Sequence, residues 1–208
     1  LTRQLVRTIP EQKNMTFARD DLPRIELNGR TALIIGVGGI GMQIAQRAKA
    51  FGMRVIGVDP KDMPITMLVD KLVPPDRLDA VLPEADVIFV SAPHTRESEG
   101  MIGSRQFQAM KKGAYFIAVS RGKLYSMPGL VEALDSKRLS GAGVDVTDPE
   151  PLPKGHPLWR FPNVVITPHI ATQSDKLEDR TVELIRENMK RFVRHEPLLN
   201  VVDKRKGY

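Results

Sequence analysis

Three side chains with complementary acid–base character, Arg121, Glu150 and His169, each come shortly after an apolar run of the sequence. Histidine titrates near neutral pH, so it can deliver a proton to a reacting oxygen. A carboxylate on its other ring nitrogen would fix the tautomer and favour the protonated form. Arginine binds carboxylates through two parallel hydrogen bonds and can polarise an adjacent carbonyl. Taken singly, the three also have ordinary interpretations, as a turn histidine, a solvated loop acid and a guanidinium that caps a carbonyl.

A glycine-rich stretch nearer the start has the pattern of a phosphate-binding turn. The apolar run Ala32 to Ile35 predicts a buried strand, and Gly36, Gly38 and Gly41 then spell G-x-G-x-x-G. The first glycine allows a tight turn, the second lets a pyrophosphate approach the backbone, and the third lets the next helix pack closely. The N-terminus of that helix attracts phosphate. Glycines alone also mark plain turns, but here a helix and a second strand ending at Asp59 follow in register.

Asp59 bears on which dinucleotide is expected. A carboxylate at this position accepts hydrogen bonds from a ribose diol and repels a 2′-phosphate, so NAD is expected and NADP is less favoured. Lys61 would accept such a phosphate if Asp59 turned away. The simpler interpretation of Asp59 is a turn residue before Pro60, and the upstream glycines argue against it.

The remaining pattern predicts strands that alternate with helices. Predicted strands cover 32–35, 53–58, 72–73, 87–90, 115–119, 142–146 and 164–166. Predicted helices cover a first segment that ends at Pro10, the segment after the glycine turn, 76–82, a helix from its cap at Ser104 to Met110, a helix opened by Pro128, and 174–194. Residues 11–28 suggest a connector, and 63–71 are ambiguous. Such alternation gives parallel pairing through right-handed crossovers, so the expected fold is α/β, a doubly wound parallel sheet of the Rossmann dinucleotide-binding type. Ligands bind there at the carboxyl ends of the strands, where the arginine, the glutamate and the histidine are predicted.

Composition excludes several classes of function. The 208 residues are 41% hydrophobic and contain no cysteine, so disulfides, thiolate metal sites and cysteine nucleophiles are excluded, and a cytoplasmic location is expected. No run approaches the roughly 20 apolar residues of a membrane span. The net charge of +6 raises the question of nucleic acid, but the basic residues are dispersed except for Lys204 to Lys206. No histidines have metal-ligand spacing. We therefore expect no metal and no nucleic-acid or membrane partner.

From about Leu27 to Thr172 the sequence resembles the D-isomer-specific 2-hydroxyacid dehydrogenases. The resemblance is carried by GVGGIG, by SRGKL and by GAGVDVTDPEPLPKGHPLWRFPNVVITPHIA, which ends at Ala171. It implies an NAD-dependent oxidoreductase acting between small 2-oxo acids and D-2-hydroxy acids, and a homodimer formed through the cofactor domain. By this resemblance Arg121 binds the substrate carboxylate and carbonyl, His169 is the acid–base residue and Glu150 is its partner.

The same resemblance implies a set of cofactor-binding residues. Those around the glycine turn and the ribose are Gly36, Gly38, Gly39, Ile40, Gly41, Asp59 and Pro60. Those in the loop beside the adenosine half are Ser91, Ala92, Pro93 and Ser98. Val119, Ser120 and Asp145 match contacts to the nicotinamide half, and Arg121, His169 and Ala171 complete the set. The sequence departs from the family at Ala118, where many members have Asn, at Tyr125-Ser126-Met127, where many have Val-Asp-Glu, and at Ser91, where His is frequent.

The resemblance also predicts the domain organisation. Family members carry a substrate domain before this region, so residues 1–26 are expected to be a crossing helix and connector from that domain. Residues 27–173 would form the NAD-binding domain, and 174–208 a long helix and a segment returning to the substrate domain. The termini would thus be remnants of a flavodoxin-like domain. Two alternatives remain open: an NAD(H)-sensing, corepressor-like interaction protein, and a cofactor-binding fragment that is inactive alone.

Overall fold

The computed structural model describes residues 1–17, 24–61, 67–205 and 207. The predicted connector 11–28 and the ambiguous segment 63–71 therefore fall partly outside the described residues. The chain divides into two compact units, Leu1–Pro168 and His169–Tyr208. The predicted domain boundaries, at 26/27 and 173/174, stay predictions.

The first unit is built on a seven-stranded parallel sheet in the order β3-β2-β1-β4-β5-β6-β7. The strands are β1 Thr31–Ile35, β2 Arg54–Val58, β3 Lys71–Val73, β4 Val87–Val90, β5 Ala114–Ala118, β6 Leu139–Val144 and β7 Val164–Ile166. The helices of this unit are α1 Leu5–Lys13, α2 Gly39–Ala50, α3 Leu78–Val81, α4 Ser104–Ala109 and α5 Met127–Asp135. The strand order reverses between β1 and β4, which confirms the doubly wound Rossmann fold and marks the crevice where such folds bind ligands.

The sheet is buried on both faces, which explains its unbroken apolar runs. Every residue of β1 is buried, and alternate residues enter different clusters: Leu33 and Ile35 join one, Ala32 and Ile34 the other. This alternation is the two-residue period of a strand. The larger cluster includes Phe116 of β5, and the smaller one holds the buried alanines of α2.

Several local predictions were wrong, including the start of the helix predicted over 174–194, which begins at Leu177. Helix α1 runs through Pro10 to Lys13, because proline removes only its own N–H, and the carbonyl of Pro10 still accepts from Asn14 N at 3.3 Å. Gly103, not Ser104, is the N-cap of α4, since the Gln106 side chain accepts from Gly103 N at 3.1 Å. Strand β6 begins at Leu139, where its pairing with β5 begins. It ends at Val144, which is the last residue paired with either β5 or β7.

The second unit contains helix α6, Leu177–Val193, and the tail that follows it. Asn188 binds the backbone of Leu199 twice: its Nδ2 donates to the carbonyl at 3.1 Å and its Oδ1 accepts from the N–H at 2.8 Å. Arg191 donates to Pro197 O at 3.1 Å. The tail is therefore held along the helix. Among the described residues, no helix is both long and apolar enough to cross a membrane.

Candidate active site

The predicted site residues of the first unit follow the carboxyl ends of adjacent strands. Five of them come directly after a strand: Gly36 after β1, Asp59 after β2, Ser91 after β4, Val119 after β5 and Asp145 after β6; Thr167, which was not predicted, follows β7 in the same way. Because the strands are parallel and hydrogen-bonded in order, these residues share one edge of the sheet. The sequence named all of them except Thr167 as contacts of a ligand.

At Gly36 the loop that follows β1 contacts the loop that follows β4. Gly36 has a φ of +87°, and a Cβ on it would lie 2.4 Å from the backbone of Ala92. The Ser91 hydroxyl donates to Gly36 O at 2.8 Å. Only glycine fits this close approach. The structure thus brings together three residues that the sequence assigned to the cofactor.

The other glycines leave one side of the turn tightly packed and the other side open. A Cβ on Gly41 would lie 2.1 Å from Gly36 O, so this glycine lets α2 pack against the turn. A Cβ on Gly38 or Gly39 would meet no described atom within 4 Å. Gly38 is the N-cap of α2, and Ile40 in its first turn is 49% exposed. The open helix N-terminus fits a pyrophosphate.

The Asp59 carboxylate binds the backbone of the glycine turn. Its Oδ2 accepts from Val37 N at 2.9 Å and its Oδ1 accepts from Lys61 N at 2.9 Å. A carboxylate oxygen has a second acceptor site, so this carboxylate can also bind a ribose hydroxyl. The contact with Val37 was not predicted, since no local pattern links the two residues. Pro60 follows as an exposed residue.

The loop after β4 closes on itself through Ser98. The Ser98 hydroxyl donates to Pro93 O at 2.7 Å and accepts from Thr95 N at 2.8 Å. The hydroxyl therefore shapes the predicted adenosine-side loop from within.

The loop after β5 presents Arg121 to solvent and packs against the loop after β6. Arg121 is exposed, and its Nη1 donates to Ser120 O at 2.7 Å. The next residue, Gly122, lies so close to the other loop that a Cβ would stand 2.1 Å from both C and O of Thr147. Among the described side chains, the Ser120 hydroxyl is buried without a hydrogen-bond partner. A buried unpaired hydroxyl fits a ligand that supplies the partner.

Asp145 is held between neighbouring strand ends. It is only 6% exposed; its N–H donates to Ala118 O at 2.9 Å, and its Oδ1 accepts from the Thr167 hydroxyl at 2.6 Å. The prediction placed Asp145 inside the sixth strand, but the strand ends one residue earlier, so Asp145 lies at the carboxyl edge of the sheet. The role of Thr167 was missed, although its position after a strand was a usable signal.

Glu150 is exposed in the loop after β6. Its Oε2 accepts from Thr147 N at 3.4 Å. Burial, and then the negative charges of Glu150 and Asp148, raise the pKa of Tyr125 well above its ordinary value. The acid loop therefore lies near a buried tyrosine, a relationship that the sequence did not reveal.

His169 opens the second unit, which also contains Ala171. Its φ of +54° lies in the left-handed region, which costs energy in residues other than glycine and is enriched at functional sites. Because Arg121 and Glu150 belong to the first unit, the convergence of the three side chains stays a prediction. No group of three metal-binding side chains occurs among residues 1–17, 24–61, 67–205 and 207.

The fold and the open glycine turn define a dinucleotide-binding domain. Residues 1–171 match the family model described as D-isomer specific 2-hydroxyacid dehydrogenase, NAD binding domain, and the chain belongs to that family. A glyoxylate reductase of Korarchaeum cryptofilum is 38% identical over 181 residues, which cover 86% of this chain and 53% of that protein.

Solved structures agree with this assignment. A probable 2-hydroxyacid dehydrogenase from Rhizobium etli in complex with NADP has a TM-score of 0.88 and 30% identity, with 100% of this chain and 65% of that chain covered. D-lactate dehydrogenase with NAD+ from Lactobacillus jensenii has a TM-score of 0.81 and 28% identity, with coverages of 98% and 64%. The chain thus spans between about half and two-thirds of the length of these relatives.

Proposed function

We propose that this chain is the cofactor-binding part of an NAD-dependent D-2-hydroxyacid dehydrogenase acting on a small 2-oxo acid. The observation that carries the proposal is the shared carboxyl edge of the sheet. The open glycine turn and the loops that carry Arg121 and Glu150 all follow strands at this edge. When bound, the reduced nicotinamide supplies a hydride to the carbonyl carbon. The carbonyl oxygen must then receive a proton.

The residues divide this work between them. Arg121, exposed at the end of β5, binds the substrate carboxylate and polarises the carbonyl. His169 donates the proton to the carbonyl oxygen, and Glu150 acts as its partner. Asp145 and the Ser120 hydroxyl, which is buried without a partner among the described side chains, offer polar contacts to the nicotinamide half.

NAD is the proposed cofactor because the Asp59 carboxylate is fixed beside the glycine turn. Its charge repels a 2′-phosphate, and a carboxylate oxygen that already accepts one hydrogen bond can accept a second from a ribose diol. Relatives have been crystallised with either dinucleotide, so the preference is a property to be measured on this chain.

The test is His169→Ala in the full-length protein, with reduction of glyoxylate or hydroxypyruvate followed by loss of NADH absorbance. Losing a general acid should lower kcat by about 10²- to 10⁴-fold, which is far more than it lowers NADH affinity. His195→Ala is the matched control, because its φ of +57° imposes the same backbone conformation as the +54° of His169. Unchanged turnover in His169→Ala would overturn the acid–base assignment.

The assay also separates the alternatives. NADH binding without turnover of any 2-oxo acid by the wild-type full-length protein would favour a dinucleotide sensor. Turnover by the full-length protein but not by this chain would identify an inactive fragment.

We also expect a homodimer, which a monomeric mass in light scattering would contradict. The cytoplasmic location stays a prediction.

A further inference from the structure

Tyr125 is buried beneath the acid-bearing loop. It is 3% exposed, and its hydroxyl donates to Val146 O at 2.6 Å. Its ring packs edge-to-face on Phe116 with centroids 5.2 Å apart. Its backbone pairs with Ile102 and its N–H donates to Gly122 O at 3.3 Å. Packing and backbone contacts thus fix where the hydroxyl points.

The Val146 carbonyl belongs to the same peptide unit as the Thr147 N–H. A peptide unit is planar, and in the trans form its C=O and N–H point to opposite sides. The Thr147 N–H donates to Glu150 Oε2 at 3.4 Å. One rigid peptide is therefore bound at one end by the Tyr125 hydroxyl and at the other by the Glu150 carboxylate. A bond to the carbonyl also polarises the N–H and strengthens its own bond.

We propose that Tyr125 is a positioning residue, whose hydroxyl orients the Val146–Thr147 peptide and, through it, the carboxylate of Glu150. The inference rests on the proposed function, in which Glu150 is the partner of the acid–base histidine.

Two further contacts support a role beyond filling the core. Tyr125 lies on the same loop as Arg121, and that loop packs through Gly122 onto the backbone of Thr147. The Thr147 hydroxyl donates to Pro149 O at 3.0 Å, which closes the turn that carries Glu150. The tyrosine hydroxyl therefore ties the arginine loop to the glutamate loop. Since its pKa is raised by burial and by the nearby carboxylates, it stays a donor throughout the neutral range.

The first test is hydrogen exchange in Tyr125→Phe, which keeps the ring and removes only the hydroxyl. We expect the amide of Thr147 to exchange about five-fold faster, as for the loss of one ordinary hydrogen bond. Tyr115→Phe is the matched control, because Tyr115 is an equally buried tyrosine, 4% exposed, in the other hydrophobic cluster. Unchanged exchange in residues 145–150 of Tyr125→Phe would overturn the proposal.

The second test is kinetic and uses the full-length protein. Tyr125→Phe should lower kcat about ten-fold while NADH affinity stays that of Tyr115→Phe. In a Glu150→Gln background the same change should cost less than two-fold, because residues that act as one unit are not additive. Multiplicative losses would overturn the inference. If the wild-type protein turned over no 2-oxo acid, the proposed function would fail, while the exchange experiment would still decide the role of Tyr125.

Discussion

Adding one methyl group to Gly41 should separate helix α2 from the glycine turn. The new Cβ would lie 2.1 Å from Gly36 O and 3.2 Å from Ile34 Cγ2, whereas ordinary contact starts at 3.4 Å. The backbone must therefore shift by roughly 1 Å, and such overpacking typically costs about 1–3 kcal/mol. For a chain of this size, each kcal/mol lowers Tm by roughly 2–4 °C. Gly41→Ala should thus lose roughly 2–12 °C and bind NADH more weakly.

Gly38→Ala is the matched control, since it adds the same methyl group three residues earlier. No described atom lies within 4 Å of that Cβ, and a φ of −75° suits alanine. The free energy of unfolding should change by less than about 1 kcal/mol, because alanine restricts the unfolded chain but is a poorer N-cap than glycine. The Cβ would nevertheless occupy the space through which a pyrophosphate approaches, so we expect at least ten-fold weaker NADH binding.

Thermal unfolding followed by circular dichroism, and calorimetric titration with NADH, separate the two effects. Gly41→Ala should lower both Tm and NADH affinity, whereas Gly38→Ala should lower only NADH affinity. Wild-type affinity in Gly38→Ala would refute the placement of the pyrophosphate at the open side of the turn. An unchanged Tm in Gly41→Ala would refute the packing argument.

Three further changes probe the cofactor site and the scaffold. Asp59→Ala should weaken NADH binding at least ten-fold and shift preference toward NADPH, as measured by titration with both; an unchanged ratio would show that Asp59 does not distinguish the two. Burial alone would raise the pKa of Asp86, but hydrogen bonds from Lys111, Thr31 N and Arg30 hold it below its ordinary value, so its stabilisation is present above pH of about 4 and is lost as pH falls through the lowered pKa. Asp86→Asn should therefore cost about 1–2 kcal/mol at pH 7 and progressively less as pH falls below about 4, as measured by urea unfolding; a cost that does not change across this range would contradict this. Ser126→Ala removes the hydroxyl that caps α5 and should lower the free energy of unfolding by about 1 kcal/mol, with no change if the cap is unimportant.

The strand positions were largely predictable because a parallel sheet covered on both faces needs unbroken apolar segments. The predictions for 87–90 and 164–166 coincide with β4 and β7. The limits of β6 were missed, because they depend on where its neighbours stop pairing. Pro10 shows the opposite case. A proline usually predicts the end of a helix, but α1 continues through it because only one backbone hydrogen bond is lost.

The sequence by itself determined the order of the elements, the glycine-rich turn and the identity of the loops that carry Arg121 and Glu150. These are encoded in short stretches, where glycine spacing and apolar runs act locally. Only the tertiary structure decided that Asp59 accepts a hydrogen bond from Val37 N and that Gly122 packs on Thr147. It also decided that the buried Tyr125 donates to Val146 O in the loop that carries Glu150. Such contacts join residues far apart in the chain, and they form only once parallel strand ends lie side by side.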